Sequence, residues 1–442
     1  MRIAIIGCGF VFDIYMRTIW AHPDLVIAGV FDIRRERVER VCAHYGLRAF
    51  DTYTAVLEDP EVETIINLTN ISSHYAVSRL ALEAGKHVYS EKPLTKSIEQ
   101  SRELFDIARE RGVRLYAAPC NIYSDTVRTV FEAVAEGVIG KPLLVYAELD
   151  DSPIHLMGFE GVVSPTGAPW PLFEEIQEGC TYEHLGYHLV WIAGLLGPVV
   201  SVTAFSAELI QYKTKGLAAK VGTPDYSVAN LQFGNGAVAR ITCSVVAPRD
   251  HRMRVIGREG EISTDGYRQY RSPVRVERFS KRSLSARKFR TLRSHPSLGR
   301  LFGVGGRRVE LVRNWKTEAV EKNHQPTTSQ GQRFLHWLRH REVYAQDKFV
   351  GVAEMDREIR GGRPQYLSPE FLLHLNELTL LIQGAGTEGI AVAPTTTFEP
   401  LGPIPGTQMT GQTLRSVRPR PLEWVRRGRV AAALMGRSPN ME

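Results

Sequence analysis

The feature that most constrains this chain is an alternation of short β-branched runs with amphipathic stretches over its first 120 residues. Arg2–Ile6, Val26–Phe31, Thr64–Leu68, His87–Ser90 and Arg114–Ala117 read as buried strands. Between them, Arg34–Tyr45, Ser72–Ala84 and Ser97–Arg111 carry a helical period. Each is followed by a glycine (Gly46, Gly85, Gly112) where a left-handed C-cap falls. Strands separated by helices predict a doubly wound parallel sheet, so residues 1–120 are expected to form an α/β domain. After Asn121 the pattern changes. A helix (Asp125–Glu136) leads to Leu143–Asp150, and Val228–Phe233 and Ala237–Val245 flank Asn235-Gly236, a strong hairpin signal. Met253–Ile262 reads as the next antiparallel strand, and Val350–Gly361 and Ser368–Gly384 as closing helices. This order predicts a second, α+β domain over 121–395 with a mostly antiparallel sheet, then a Pro/Arg-rich tail over 396–442.

Charge is distributed unevenly along the 442 residues. Of the net +7, the stretch Arg271–Lys316 carries +12 and the last forty-two residues +5, leaving −10 for the rest. The body is therefore mildly acidic, and no domain has the overall basic face expected of a nucleic-acid binder. The longest near-apolar stretch, Leu189–Val200, is twelve residues broken by Gly194, Gly197 and Pro198, too short for a membrane span of about 20 residues. The apolar start Ile3–Ile6 is shorter than a signal-peptide core of ~7–15 residues. Five scattered cysteines without a C-x-x-C pair argue against a disulfide framework or structural zinc. A cytoplasmic location is expected.

Two motifs carry the chemistry of the first domain. Gly7-Cys8-Gly9-Phe10-Val11-Phe12 directly follows a strand and opens a helix, with Asp32 ending the second strand. Such glycines allow a tight turn and close approach of backbone N–H groups to a pyrophosphate. The pattern predicts a dinucleotide-binding Rossmann domain, although Phe12 replaces the third glycine. Asp32 can bond both ribose hydroxyls and repels a 2′-phosphate, which favours NAD, with NADP possible if Arg34 or Arg35 offsets that repulsion. The second motif is Glu91-Lys92-Pro93, just past His87–Ser90. A lysine at the C-terminal edge of a parallel sheet lies where such sheets bind ligands and can stabilise a developing alkoxide.

Together the G-x-G start, the turn Asn67-Leu68-Thr69-Asn70-Ile71-Ser72-Ser73-His74 and the EAGKHV…EKP stretch resemble the Gfo/Idh/MocA family, closely over 1–120 and more loosely to about residue 390. The resemblance implies NAD(P)-dependent hydride transfer to or from a secondary alcohol of a sugar, polyol or sugar derivative. It implies that Lys92 lies beside the nicotinamide and substrate carbon, that Glu91 contacts the cofactor, and that Thr69, Asn70, His74 and Asn121 line the cofactor cleft. The element Gly179–His188 resembles the family's D-x-G-x-H, which gives the acid/base role to His188; His184 stands at the aspartate position and could share that role, with Glu183 the nearest carboxylate. A homo-oligomer built through the second domain's sheet is expected.

His184 and His188, spaced i, i+4, lack the further ligands of a zinc site, so no metal is expected. Two other functions fit less of the sequence: a non-catalytic NAD(P)-binding regulator, suggested by the altered D-x-G-x-H, and a retained-NAD sugar lyase or hydrolase. The basic insertion Arg271–Lys316 shows no helical or strand period. It reads either as a solvated, flexible excursion or as a patch for an anionic partner: a nucleotide-sugar diphosphate, an acidic polysaccharide or an anionic membrane surface.

Overall fold

The computed structural model describes residues 1–158, 161–211, 222–313, 331 and 346–407. Five parallel strands, β1 (Arg2–Ile6), β2 (Val26–Phe31), β3 (Thr64–Asn67), β4 (His87–Ser90) and β5 (Leu115–Ala117), form the first sheet in the order β2-β1-β3-β4-β5. Between them run α1 (Phe10–Met16), α2 (Arg35–Tyr45), α3 (Tyr53–Glu58), α4 (His74–Glu83) and α5 (Ile98–Glu110). Local chemistry sets their ends. Ser97 accepts the Gln100 N–H at the start of α5, and Gly46 closes α2 in the left-handed region at φ 68°. The strand order reverses between β1 and β3, which opens a crevice at their C-terminal ends.

The second sheet has nine strands in the order β13-β12-β11-β10-β6-β9-β8-β7-β14. They are β6 (Pro142–Asp150), β7 (Val199–Ala207), β8 (Tyr226–Phe233), β9 (Val238–Ser244), β10 (Met253–Gly257), β11 (Gly260–Thr264), β12 (Arg275–Arg278), β13 (Arg307–Arg308) and β14 (Ile390–Val392). Among the described residues, only β6 and β9 pair in parallel in this sheet. The Asn235-Gly236 turn joins β8 to β9 as expected, with Gly236 at φ 86°. Met253–Ile262, expected as one strand, is instead the hairpin β10–β11. It reverses at Arg258-Glu259 because Gly257 and Gly260 pack on Ile139, where a Cβ at Gly257 would lie 2.2 Å from the Ile139 carbonyl oxygen.

Helices join the domains. α6 (Asp125–Ala135) is capped by Ser124, and α7 (Leu172–Glu178) leads into α8 (Cys180–Leu196), a nearly all-buried helix that packs on β6, β8 and β9. α12 (Val350–Arg360) returns to the first domain, where Val352 and Met355 pack into the core beside Ile3, Ile5 and Tyr116; α13 (Pro369–Gln383) packs on α8 and α5.

Two expectations change here. Residues 396–407, read as tail, belong to the packed fold: Phe398 lies edge-on to Phe371 at 4.9 Å, Ile404 is buried, and Arg128 donates to Thr407 Oγ1 at 2.9 Å. The remaining tail, 408–442, lies outside the described residues. Over its described residues the basic insertion folds through β12, α9 (Lys281–Ala286), α10 (Arg290–Ser294), α11 (Pro296–Leu301) and β13, around a small core of Ala286 and Phe302. Helices of five or six residues span under two turns, so no period is visible in the sequence. Trp315 and Lys316 lie outside the described residues.

Candidate active site

The chain leaves β1 and turns through Gly7-Cys8-Gly9 into α1. Gly7 has φ 100°, and a Cβ there would lie 2.6 Å from the Leu68 carbonyl oxygen at the end of β3, so the close crossing of two strand ends requires glycine. At Gly9 the nearest atom to an added methyl would be Arg37 Nη1 at 3.7 Å, which leaves room for a ligand against the backbone. As at any helix start, the N–H groups of Phe10 and Val11 lack partners within the helix. Asp32 follows β2 and accepts from the N–H groups of Cys8 (2.7 Å) and Arg34 (2.8 Å), which fixes a carboxylate beside the turn. An open glycine, unpaired helix-start N–H groups and this carboxylate fit a dinucleotide. Arg35 is turned to Asp51 at 2.7 Å and Glu39 at 3.4 Å.

The turn after β3 is self-bonded. Thr69 Oγ1 donates to Asn67 Oδ1 (2.7 Å), and Asn70 Oδ1 accepts from Ser72. His74 is buried between the carbonyl oxygens of Pro93 (2.8 Å) and Thr69 (3.1 Å), tying this turn to the Glu91-Lys92-Pro93 segment. Asn121 is fully buried and its Nδ2 donates to the carbonyl oxygen of Tyr187 in α8 (3.0 Å). Asn121 thus anchors the handover between domains.

Past β4 the two charges of the motif diverge. Buried Glu91 accepts from Tyr15 Oη (2.8 Å) and pairs with Lys348 Nζ (3.2 Å). Burial alone pushes its pKa up, but Lys348 and Lys92 outweigh this and hold it at about 2. Lys92 crosses to the second domain, where its Nζ donates to Glu183 Oε2 in the first turn of α8. Burial disfavours the ammonium, yet Glu183, Tyr187 and Glu91 together keep it protonated, with its pKa raised. The close approach depends on Gly186, whose Cβ would lie 3.0 Å from Pro119 Cδ and 4.0 Å from Lys92 Cβ. Beside this pair, Glu175 accepts from Trp170 Nε1 (3.1 Å); burial first, then the charge of Glu183, pushes its pKa up to about 8. Trp170 in turn packs edge-on against Phe10 at 4.8 Å, which links α7 to the dinucleotide turn.

The two histidines of α8 part company. His188 is fully buried, with Nε2 2.9 Å from the Thr242 carbonyl oxygen and Nδ1 2.9 Å from Tyr267 Oη. Burial drops its pKa to about 3. Both of its nitrogens are thus engaged by protein in this structure, whereas the family pattern gave it the acid/base role. His184, one turn earlier on the same face of α8, has different partners. Its Nε2 lies 3.3 Å from Asp151 Oδ2, while its Nδ1 is buried without a partner among the described residues. It shares a small cavity with Glu175 and Glu183. Burial lowers its pKa against the opposing pull of Asp151. Asp151 also pairs with Arg268 (2.7 Å) and Arg249 (2.6 Å); burial opposes its ionisation, but Arg268 and the hydrogen bonds from His184 and His251 hold its pKa well below the usual carboxylate range. The histidines thus do not converge on one point, and among the described residues no group of three His, Cys, Asp or Glu could hold a metal.

Sequence reasoning did not single out Tyr15, Asp151, Tyr187, Tyr267, Arg268 or Lys348. Tyr187 donates no motif of its own, yet its hydroxyl meets Lys348 Nζ at 3.0 Å and its ring lies 4.4 Å below the Arg268 guanidinium. Its only signal was its position one residue before His188.

A family model described as "Oxidoreductase family, NAD-binding Rossmann fold" matches residues 1–118, and one described as "GFO/IDH/MocA C-terminal domain" matches residues 127–263. Together they span more than half of the chain, which belongs to the Gfo/Idh/MocA oxidoreductases and binds NAD through its first domain. Similar curated proteins include myo-inositol 2-dehydrogenase of Thermotoga maritima, 24% identical over 61% of this chain and 76% of that one. The scyllo-inositol 2-dehydrogenase (NAD(+)) of Bacillus subtilis is 26% identical over 59% and 73% respectively. Among solved structures, levoglucosan dehydrogenase in complex with NADH and levoglucosan shares the fold at a TM-score of 0.66 and 18% identity, covering 89% of this chain and 99% of that one.

Proposed function

We propose that this oxidoreductase transfers hydride between nicotinamide and a secondary alcohol of a sugar, polyol or sugar derivative. The observation that carries the reading is the pairing of Lys92 with Glu183 beside a histidine, His184, whose Nδ1 has no partner among the described residues. The relatives' names, two of them inositol dehydrogenases, support the substrate class. Gly7, Gly9, Phe10, Val11 and Asp32 would hold the dinucleotide, and Thr69, Asn70, His74, Glu91 and Asn121 shape the wall against which it lies. Bound nicotinamide supplies the hydride acceptor or donor.

The remaining work falls to the chain's own groups. Lys92, oriented by Glu183, stabilises the alkoxide as the hydroxyl proton leaves. Asp151 accepts from His184 Nε2–H and so fixes the tautomer in which Nδ1 is the free base. Burial keeps that imidazole neutral near pH 7, ready to take the proton from the carbinol. The pairing of Arg35 with Asp51 and Glu39 supports NAD over NADP, since it draws that cation toward other carboxylates. A cytoplasmic location and homo-oligomerisation through the nine-stranded sheet complete the proposal. The five free cysteines support the first. Among the described residues no helix is long and apolar enough to cross a membrane.

The test is to mix the protein with NAD and a panel of sugars and polyols and follow reduced nicotinamide. A substrate-dependent rise supports the reading. Sugar consumption without net reduction points to a lyase or hydrolase that retains its cofactor, and no change in sugar or cofactor across the panel contradicts hydride transfer.

A further inference from the structure

The inserted module β12–β13 lies at one edge of the second sheet and takes no part in the site described above. From Phe279 to Val309 the sequence holds nine Lys and Arg and no Asp or Glu. The one carboxylate built into the module, Glu277, is buried and turned inward, where its Oε2 accepts from Arg287 (2.6 Å) and from the Gly305 N–H (2.7 Å). It therefore does not neutralise the outer surface.

That surface is also unusually apolar. The three short helices pack on Ala286 and Phe302, with Leu292 and Val304 against them. Arg282 clamps α9 to α11 by donating to the Leu301 carbonyl oxygen (3.3 Å) and lying 5.1 Å over the Phe302 ring. Four large side chains are left outside this core: Leu284 (46% exposed), Phe289 (55%), Leu298 (38%) and Leu301 (40%). Leu298 and Leu301 share a face of α11 at i, i+3 spacing, and Lys281 and Leu284 share one of α9. Lys281, Lys288, Arg290 and Arg300 are exposed among them. Single exposed leucines are ordinary, but four large apolar groups within 18 residues, interleaved with exposed cations that pair with no carboxylate among the described residues, are not.

We propose that this module docks the enzyme on an anionic phospholipid surface, with Lys281, Lys288, Arg290 and Arg300 at the headgroups and Leu284, Phe289, Leu298 and Leu301 inserted at the acyl boundary. Charge complementarity selects an anionic surface, and the apolar side chains select a lipid one, because a polyphosphate backbone has no use for exposed leucines. A second copy of the module would meet this face with like charge. The mode is peripheral: the helices are far too short to span a bilayer.

Co-sedimentation of the full chain with vesicles tests it. The protein is expected to pellet with vesicles containing phosphatidylglycerol and to stay in solution with pure phosphatidylcholine, and added salt should weaken the binding. The triple variant Lys281→Glu, Lys288→Glu, Arg290→Glu should lower the bound fraction at least ~10-fold. Leu284→Ser with Phe289→Ser and Leu301→Ser keeps every charge and should also lower it. All six positions are exposed, so unchanged thermal unfolding is the check that each variant is folded. Failure to bind anionic vesicles at low salt overturns the proposal. So does binding that ignores the charge variant, which moves the contact to another basic segment. Binding that survives loss of the apolar side chains and is fully displaced by duplex DNA also overturns it, since the module is then a general polyanion site.

Discussion

The Lys92 ammonium, at the C-terminal edge of the first sheet, donates to the Glu183 carboxylate in the first turn of α8, and so ties the two domains together. Lys92 is therefore oriented from the second domain, and any shift of α8 displaces it. The same helix carries His184 and Tyr187, whose charges interact with Lys92, and His188, which is bonded to Tyr267 and Thr242.

The two glycines of the dinucleotide turn should respond differently to alanine. Gly7→Ala meets a carbonyl oxygen at 2.6 Å in a left-handed backbone, and is expected to destabilise the fold by about 2 kcal/mol or more. Gly9→Ala has space and should leave Tm unchanged while weakening NAD at least ~10-fold, because the added methyl takes the room left for the pyrophosphate. Thermal unfolding and cofactor titration of both variants give the comparison; equal loss of stability contradicts it.

Asp32→Ala should weaken NAD by about 10- to 100-fold, the loss expected for a charged hydrogen-bond partner, and narrow the preference over NADP. Titration of both cofactors reads this directly. A wild-type preference for NADP would overturn the assignment.

His184→Ala is expected to cut kcat by about 10²-fold at neutral pH, with the folded state intact. In alcohol oxidation the wild-type rate should fall as pH drops below the ordinary histidine range, because protonated His184 cannot accept a proton and its lowered pKa puts the limb there. The variant should lack that limb. His188→Ala should instead cost about 1–3 kcal/mol of stability, since it orphans Tyr267 Oη and the Thr242 carbonyl, and change the activity of the folded enzyme only a few-fold.

Glu175 gives a stability signature. Its pKa in the fold, about 8, lies above the 4.5 of the exposed group, so the native state holds a proton the unfolded chain releases. Its contribution is fully present below pH of about 4.5 and is lost as pH rises toward 8. Tm should therefore decline across that window, and Glu175→Gln should flatten the decline.

Much of this was legible in the sequence because it is local. The five strands, the glycine caps and the N-caps Ser97 and Ser124 each depend on neighbours within a few residues. The reversal between β10 and β11 was hidden because it depends on Ile139, more than a hundred residues away. Lys92 was found from its place after a strand. The family pattern pointed to His188, but its burial depends on Tyr267 and Thr242, which no spacing could reveal. The same holds for Asp151, whose partners come from three separate stretches of chain, at His184, Arg249 and Arg268.

The central claim is that Lys92 stabilises the alkoxide during hydride transfer. The most direct measurement is kcat for nicotinamide reduction by wild type and Lys92→Ala on the best substrate of the panel, alongside the Kd for NAD of each. The expected result is a fall in kcat of at least ~10²-fold with Kd nearly unchanged, because the ammonium acts on charge that develops only in the transition state. Near-normal turnover in the variant would contradict the account.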